Sequence, residues 1–287
     1  MTAPIEPVRA LVRFGLNSPN ALRLMGFYER AFGAQMESRD RHTERDFSRW
    51  TQVQGGAERT LLKFGDATLE LLEFDYPGGS YPQDLSPYDT RFQHFGIVVP
   101  DMQRAMERLN AIAGWTAIST EGPQTLPPSA GGVTAFKFRD PDGHPLELLQ
   151  FPVGKSPRHW ELDTSAGIFS GIDHSALSIR NIDRSLDFYH SLGLHVSART
   201  LNQGIEQQRL DGVRSPQVDV VALAPPIPTP HVELLHYRTS SRPPPENLAI
   251  NDTAAARLIL SSSDGEAQYV RGELIRDPDG HFLEVLE

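Results

Sequence analysis

A chain of 287 residues, 39% hydrophobic and 22% charged, is long enough for about two self-sufficient domains and has neither a disordered nor a fibrous composition. Its 27 basic and 37 acidic residues leave a formal net charge of −10, which repels nucleic-acid phosphates and anionic membrane surfaces. The absence of cysteine removes disulfides, thiolate metal sites and a cysteine nucleophile, so any metal must be held by His, Asp or Glu.

The start of the chain, Met1 to Pro7, has no basic stretch followed by an apolar run, and nowhere do about 18 apolar residues follow one another. No phosphate-cradling glycine loop and no recognisable nucleophile motif occurs. These features predict a cytoplasmic protein with a small-molecule substrate, without nucleic-acid or membrane partners, as a monomer or homodimer.

In chain order, Leu11–Leu16 is a β-type run, and the amphipathic stretch ending in Phe27-Tyr28 reads as a helix closed by Gly33. Strands follow as far as Thr68–Leu72, then a Pro/Gly/Ser-rich connector from Asp75 to Arg91. A strand over Phe92–Val99 and a helix from Met102 to Leu109 come next. Pro123–Pro128 with Gly131-Gly132 is either a loop over a cavity or an ordinary connector. In Phe138–Gln150 the Asp140-Pro141-Asp142-Gly143 turn lies between apolar runs and predicts a β-hairpin. After a connector from Pro152 to Gly171, the strand His174–Ile179 leads to a helix ending in Phe188-Tyr189 and closed near Gly193. A polar cluster, Asn202–Gln208, the strand Val232–Leu235 and a connector from Arg238 to Asn247 precede a last strand near Arg257–Leu260 and a second hairpin from Ile275.

The two hairpins are copies: nine of thirteen positions agree between Phe138–Gln150 and Ile275–Glu287. The Phe-Tyr helix ends repeat as well. The chain thus reads as four similar strand–helix–strands units, about 8–75, 90–152, 171–238 and 253–287. The last is short, with 27 residues between corresponding positions against 57, 53 and 59 in the others, which predicts the loss of its helix. The Pro152 to Gly171 connector divides the chain into domains at 1–155 and 168–287.

His94, the helix after Asp101 and the Arg139–His144 hairpin resemble the vicinal oxygen chelate superfamily of glyoxalases, bleomycin-resistance proteins and extradiol dioxygenases, and the likeness covers nearly the whole chain. It implies an α+β fold of four βαβββ units, the last shortened, forming two modules with curved mixed sheets. It also implies metal ligands on the first and last strands of each unit. Carried over residue by residue, these positions are Arg13 and Glu70, His94 and Glu147, His174 and Glu233, and Arg257 and Glu284. Arginine is always protonated and does not ligate a cation.

Two pairings of units are open. If sequence neighbours pair, each cup has one His, two Glu and one Arg. If units pair crosswise, His94, Glu147, His174 and Glu233 share one cup while Arg13, Glu70, Arg257 and Glu284 share the other as buried ion pairs or an anion site. The crosswise pairing is favoured because it accounts for where the intact ligand pairs fall. Such a set implies one divalent ion, with Ni, Co, Zn, Fe or Mn all admissible, and Glu147 or Glu233 as a catalytic base.

His144 and His281 read as turn residues. His231 and His236 flank Glu233 and are candidates to support the ligands rather than bind metal, and Asn202, Gln207 and His236 are candidates to line the pocket. A solvated loop is the plainer reading of Asn202–Gln208. The leading function is a metal-dependent lyase, isomerase or epimerase acting on a small oxygenated substrate through a metal-stabilised enediolate. One alternative is an extradiol-type dioxygenase with Fe(II), against which Arg257 counts if the last two units pair. The other is a metal-free ligand-binding protein, with Trp160 and Tyr237 as pocket aromatics.

Overall fold

The computed structural model describes residues 7–65, 67–157, 160, 168–227, 230–238, 248–263 and 272–286. The first unit runs β1 (Ala10–Asn17), α1 (Ala21–Phe32), β2 (Gln35–His42), α2 (Glu44–Thr51), β3 (Ala57–Phe64) and β4 (Ala67–Phe74). The second has β5 (Gln93–Val98), α3 (Met102–Asn110), short β6 (Thr116–Ala117) and β7 (Gln124–Thr125), a tight helical turn at Pro128–Ala130, then β8 (Thr134–Arg139) and β9 (Pro145–Gln150). The third has β10 (Gly171–Ile179), α4 (Ile182–Ser191), β11 (His195–Gln203), α5 (Ile205–Asp211), β12 (Gln217–Ala224) and β13 (His231–Tyr237). The fourth retains β14 (Arg257–Ser261), β15 (Glu273–Arg276) and β16 (Phe282–Leu286). The stretch 264–271, where the short spacing predicts no helix, lies outside the described residues.

Local chemistry accounts for the main helices. The side chains of Asn20, Asp101 and Asn181 each accept a hydrogen bond from the backbone N–H three residues on, capping α1, α3 and α4. Gly33 ends α1 in the left-handed conformation, φ 71°. Two short helices, α2 and α5, stand where the sequence suggested strands and loop; Asn202–Gln208 is the end of β11 running into α5, not a solvated loop.

The sheets pair crosswise. One has the order β15-β16-β14-β1-β4-β3-β2, joining the first and fourth units, and the other has β11-β12-β13-β10-β5-β9-β8-β6, with β7 on β8, joining the second and third. Each sheet therefore draws one unit from each half of the chain. The strand seams are β1 with β14 and β5 with β10, both antiparallel.

A continuous apolar core includes residues of both sheets and of α1, α3 and α4. Phe14 on β1 lies 5.7 Å from Phe95 on β5, ring centre to ring centre, so the sheets share it directly. The two sequence repeats interlock within each half: Tyr28 Oη donates to Asp140 at 2.9 Å, and Tyr189 Oη donates to Asp277 at 3.2 Å. Each helix end thus anchors the Asp-Pro-Asp-Gly turn of the following unit. His144 and His281 are turn residues, yet both are buried, pairing with the carbonyls of Thr253 and Ser178 at 3.1 and 3.0 Å. Among the described residues no helix is long and apolar enough to cross a membrane.

Candidate metal centre

Strand alternation sends one face of the nine-stranded sheet into the core and the other into a cavity of about 420 Å³. On β5, Phe95 and Ile97 enter the core while His94 faces the cavity; on β9, Leu146 and Leu148 enter the core while Glu147 faces it. On β13, Val232 and Leu234 are core residues and His231, Glu233, Leu235 and Tyr237 line the cavity.

The four predicted ligands are thereby gathered in one hollow. His94 Nε2 lies 3.2 Å from Glu147 Oε2, and His174 Nε2 lies 3.5 Å from the same oxygen and 3.8 Å from Glu233 Oε2. His94, Glu147 and His174 each offer an atom within 4.8 Å of the others. Glu233 stands outside that trio and is shared with His231, whose Nε2 is 3.6 Å from Glu233 Oε1.

Backbone detail explains how two imidazoles fit across one seam. His174 is paired with Gly96 on the neighbouring strand, and a Cβ at Gly96 would meet His174 Cε1 at 2.4 Å. The ring lies across the glycine, and only a missing side chain permits it. Between Ile172 and His174 the register slips, and this bulge aims both Asp173 and His174 at the cavity. Asp173 Oδ2 sits 3.1 Å from His174 Nδ1, and the Trp160 indole N–H donates to Asp173 at 3.1 Å. A carboxylate on Nδ1 leaves Nε2 directed at the glutamates, an arrangement typical of metal-binding histidines.

Electrostatics follow from burial and this excess of acid. Burial disfavours a charge on His94 and holds its pKa below the ordinary histidine value, which favours the neutral, ligating form. Burial works the same way on His174, but Glu233, Asp173 and Glu147 outweigh it and hold that pKa well above the usual range. Burial tends to raise both glutamates; Lys137 with the two histidines overcomes this at Glu147, and His174 with His231 does so at Glu233, so both stand below the ordinary glutamate value. The pocket therefore favours positive charge beside His174. His94 Nδ1 and His174 Nε2 are buried without a well-formed hydrogen bond. Two imidazoles, two ionised carboxylates and an unsatisfied nitrogen aimed between them fit a divalent ion.

The other candidates divide. Asn202 and Gln207 line the cavity, as does Tyr237. His236 does not: alternation turns it to the opposite face, where Nδ1 lies 3.4 Å from Asp219, so its assignment to the pocket is corrected. His231, two residues from Glu233, shares its face and approaches its carboxylate. The Leu126 to Val133 segment forms part of the cavity wall instead of a plain connector. Sequence reasoning missed Asp173, Gly96, Lys137 and Asp211. Lys137 was within reach, because counting back from the hairpin turn pairs it with Glu147; Asp211, at the end of a seven-residue helix, left no signal.

In the seven-stranded sheet the matching positions carry different chemistry. Arg257 is paired with Gly15 as His174 is with Gly96, and a Cβ on Gly15 would meet its guanidinium at 2.8 Å. The guanidinium donates to Asn17 Oδ1 at 2.7 Å and to Glu70 at 3.3 Å. A fixed organic cation thus lies among the acids of this cup. Burial, then the Glu70 charge, pushes Glu284 up to about 7.

The family model of the glyoxalase/bleomycin resistance protein/dioxygenase superfamily matches residues 10–148 and 171–285. No curated protein matches the sequence. Among solved structures, glyoxalase I from Zea mays superposes with a TM-score of 0.57 at 15% identity, covering 97% of this chain and 92% of that one. A point mutant of the same enzyme gives 0.59 at 16% identity with the same coverage. A Bacillus subtilis subsp. subtilis strain 168 protein, labelled provisionally as a dioxygenase, gives 0.56 at 13% identity, covering 98% of this chain and 86% of that one. At these identities the likeness is one of fold.

Proposed function

The chain belongs to the glyoxalase/bleomycin resistance protein/dioxygenase superfamily, and from that premise we propose that it is a metal-dependent enzyme of the glyoxalase type, a lyase, isomerase or epimerase acting on a small oxygenated substrate. The observation that carries this reading is the convergence of His94, Glu147 and His174, with Glu233 beside them, at a cavity of about 420 Å³. His94, His174, Glu147 and Glu233 would hold one divalent ion. When bound, such an ion supplies Lewis acidity toward two neighbouring substrate oxygens and so stabilises an enediolate-like anion.

The chain's own groups have separate tasks. Asp173 fixes the orientation of His174 through Nδ1. Glu233 is the better placed base, since it lies outside the tight trio and its side chain is 23% exposed against 9% for Glu147. Its depressed pKa keeps it ionised at neutral pH, so that when released from the ion it can take a proton from the carbon next to a substrate carbonyl. Glu147, more deeply held between the two imidazoles, serves as ligand.

Elemental analysis of the purified protein tests this. One divalent ion per chain is expected, with loss of the ion in the double substitution His94→Ala and His174→Ala. Full metal stoichiometry in that variant would remove the proposal.

One observation supports a second reading. The compact trio is two histidines and one carboxylate, with Glu233 set apart toward His231, a ligand set used by non-haem Fe(II) oxygenases. The Arg257 objection does not apply, because Arg257 belongs to the other sheet. Oxygen uptake with a catechol after anaerobic Fe(II) reconstitution distinguishes this dioxygenase reading from the first.

A further inference from the structure

Beside the metal ligands, the cavity wall carries a second polar cluster that the proposed chemistry leaves unused. Lys137 on β8 is 4% exposed and donates from Nζ to Asp211 Oδ1 at 2.7 Å. Asp211 Oδ2 also accepts from Gln207 Nε2 at 2.7 Å and from Tyr237 Oη at 3.0 Å. Three side chains from β8, α5 and β13 thus converge on one buried carboxylate, and all three, Lys137, Gln207 and Tyr237, line the cavity.

Two features point from this cluster toward a ligand. Gln207 is 3% exposed, and its Oε1 has no hydrogen-bond partner. The amide cannot be turned round to relieve this, because Asp211 only accepts and must face the nitrogen. An unpaired buried acceptor is destabilising, and a ligand donor removes that cost. Lys137 has three N–H donors, and the described contacts use one. It is also the residue directly across the strand pair from Glu147, so its Cβ lies roughly 5 Å from that of a predicted metal ligand. Burial opposes its charge, and the ion pair with Asp211 offsets that and holds it as a donor.

We propose that Lys137 and Gln207 form a donor–acceptor subsite beside the metal ligands for a hydroxycarbonyl substrate: Lys137 Nζ donates to its carbonyl oxygen, and Gln207 Oε1 accepts from its hydroxyl. This rests on the metal-enzyme reading and adds the substrate class. Asp173, Asp211, Glu147 and Glu233 face one lysine, so even with a divalent ion the formal balance of these groups is not positive. An added carboxylate is repelled and an uncharged hydroxycarbonyl compound is not. Leu126, Leu149, Leu210, Val218 and Val220 supply apolar wall for a hydrocarbon tail. The substrate is therefore a neutral hydroxyketone or hydroxyaldehyde with an apolar substituent.

The test uses two probes of one skeleton, neutral α-hydroxyacetophenone and anionic mandelate, titrated into the full-length protein by calorimetry, with metal content measured on the same samples. The wild type is expected to bind the neutral probe more tightly than mandelate. Lys137→Met is expected to weaken it on the order of tenfold to a hundredfold while metal stoichiometry stays the same. Because Lys137→Met alone strands a buried carboxylate, the pair Lys137→Met with Asp211→Asn, which leaves acceptors for Gln207 and Tyr237, is measured beside it and should show the same loss. Unchanged affinity in the double variant, tighter binding of mandelate, or no binding of the neutral probe overturns the subsite and leaves the metal reading standing. Absence of metal from the wild type overturns the metal reading, while a Lys137-dependent affinity for the neutral probe in that sample retains the subsite.

Discussion

Glu284 offers a quantitative test of how the arginine-filled cup is held together. Its carboxyl is pushed from 4.5 to about 7, first by burial and second by the Glu70 charge, with Arg257 and the Gly272 N–H only partly offsetting them. Between these values the folded protein holds a proton that the unfolded chain has released, so stability is fullest below 4.5 and falls as pH rises toward 7. At about 1.4 kcal/mol for each pH unit the interval amounts to about 3 kcal/mol. Glu284→Gln carries no charge at any pH and keeps an oxygen for the Gly272 N–H. Thermal melts of the two proteins should nearly coincide at about pH 5. Near pH 8 the variant should melt higher, on the order of 5–10 °C at about 2–4 °C per kcal/mol. Parallel curves across that range would refute the assignment of a buried, proton-holding carboxyl at this position.

Three further outcomes are expected. Gly96→Ala places a methyl where the His174 ring lies; the fold should persist while chelator competition shows metal bound at least about tenfold more weakly. Asp173→Asn removes the carboxylate from His174 Nδ1 and should lower metal affinity by about ten- to a hundredfold without changing the melting temperature comparably. Arg257→Met strands Glu70 and Glu284 in a buried site and should cost about 3–5 kcal/mol in urea unfolding. The added change Glu70→Gln should restore much of that, and metal content should be unaffected in both.

The sequence was legible wherever short-range chemistry or repetition carried the signal. Asp140-Pro141-Asp142-Gly143 and its copy at Asp277 specify turns through proline and glycine backbone preferences, and their duplication exposes the tandem architecture. The carry-over of ligand positions named His94, Glu147, His174 and Glu233 because these sit at corresponding points of repeated units. Period-two alternation places them on one sheet face, and the same alternation counted from Glu233 excludes His236.

The placing of intact ligand pairs favoured crosswise sheets, and tertiary structure decided between the two pairings. Nothing local distinguishes β5 pairing with β10 from β5 pairing with a neighbour, because the choice lies in how two sheets bury one common core, a property of the whole chain. The same holds for the cluster around Asp211: Lys137, Gln207 and Tyr237 come from three elements up to a hundred residues apart. Their proximity arises from packing against a buried charge, which no spacing along the chain encodes. Residue types and repeats thus determined what each unit is built from, and long-range burial determined which residues meet.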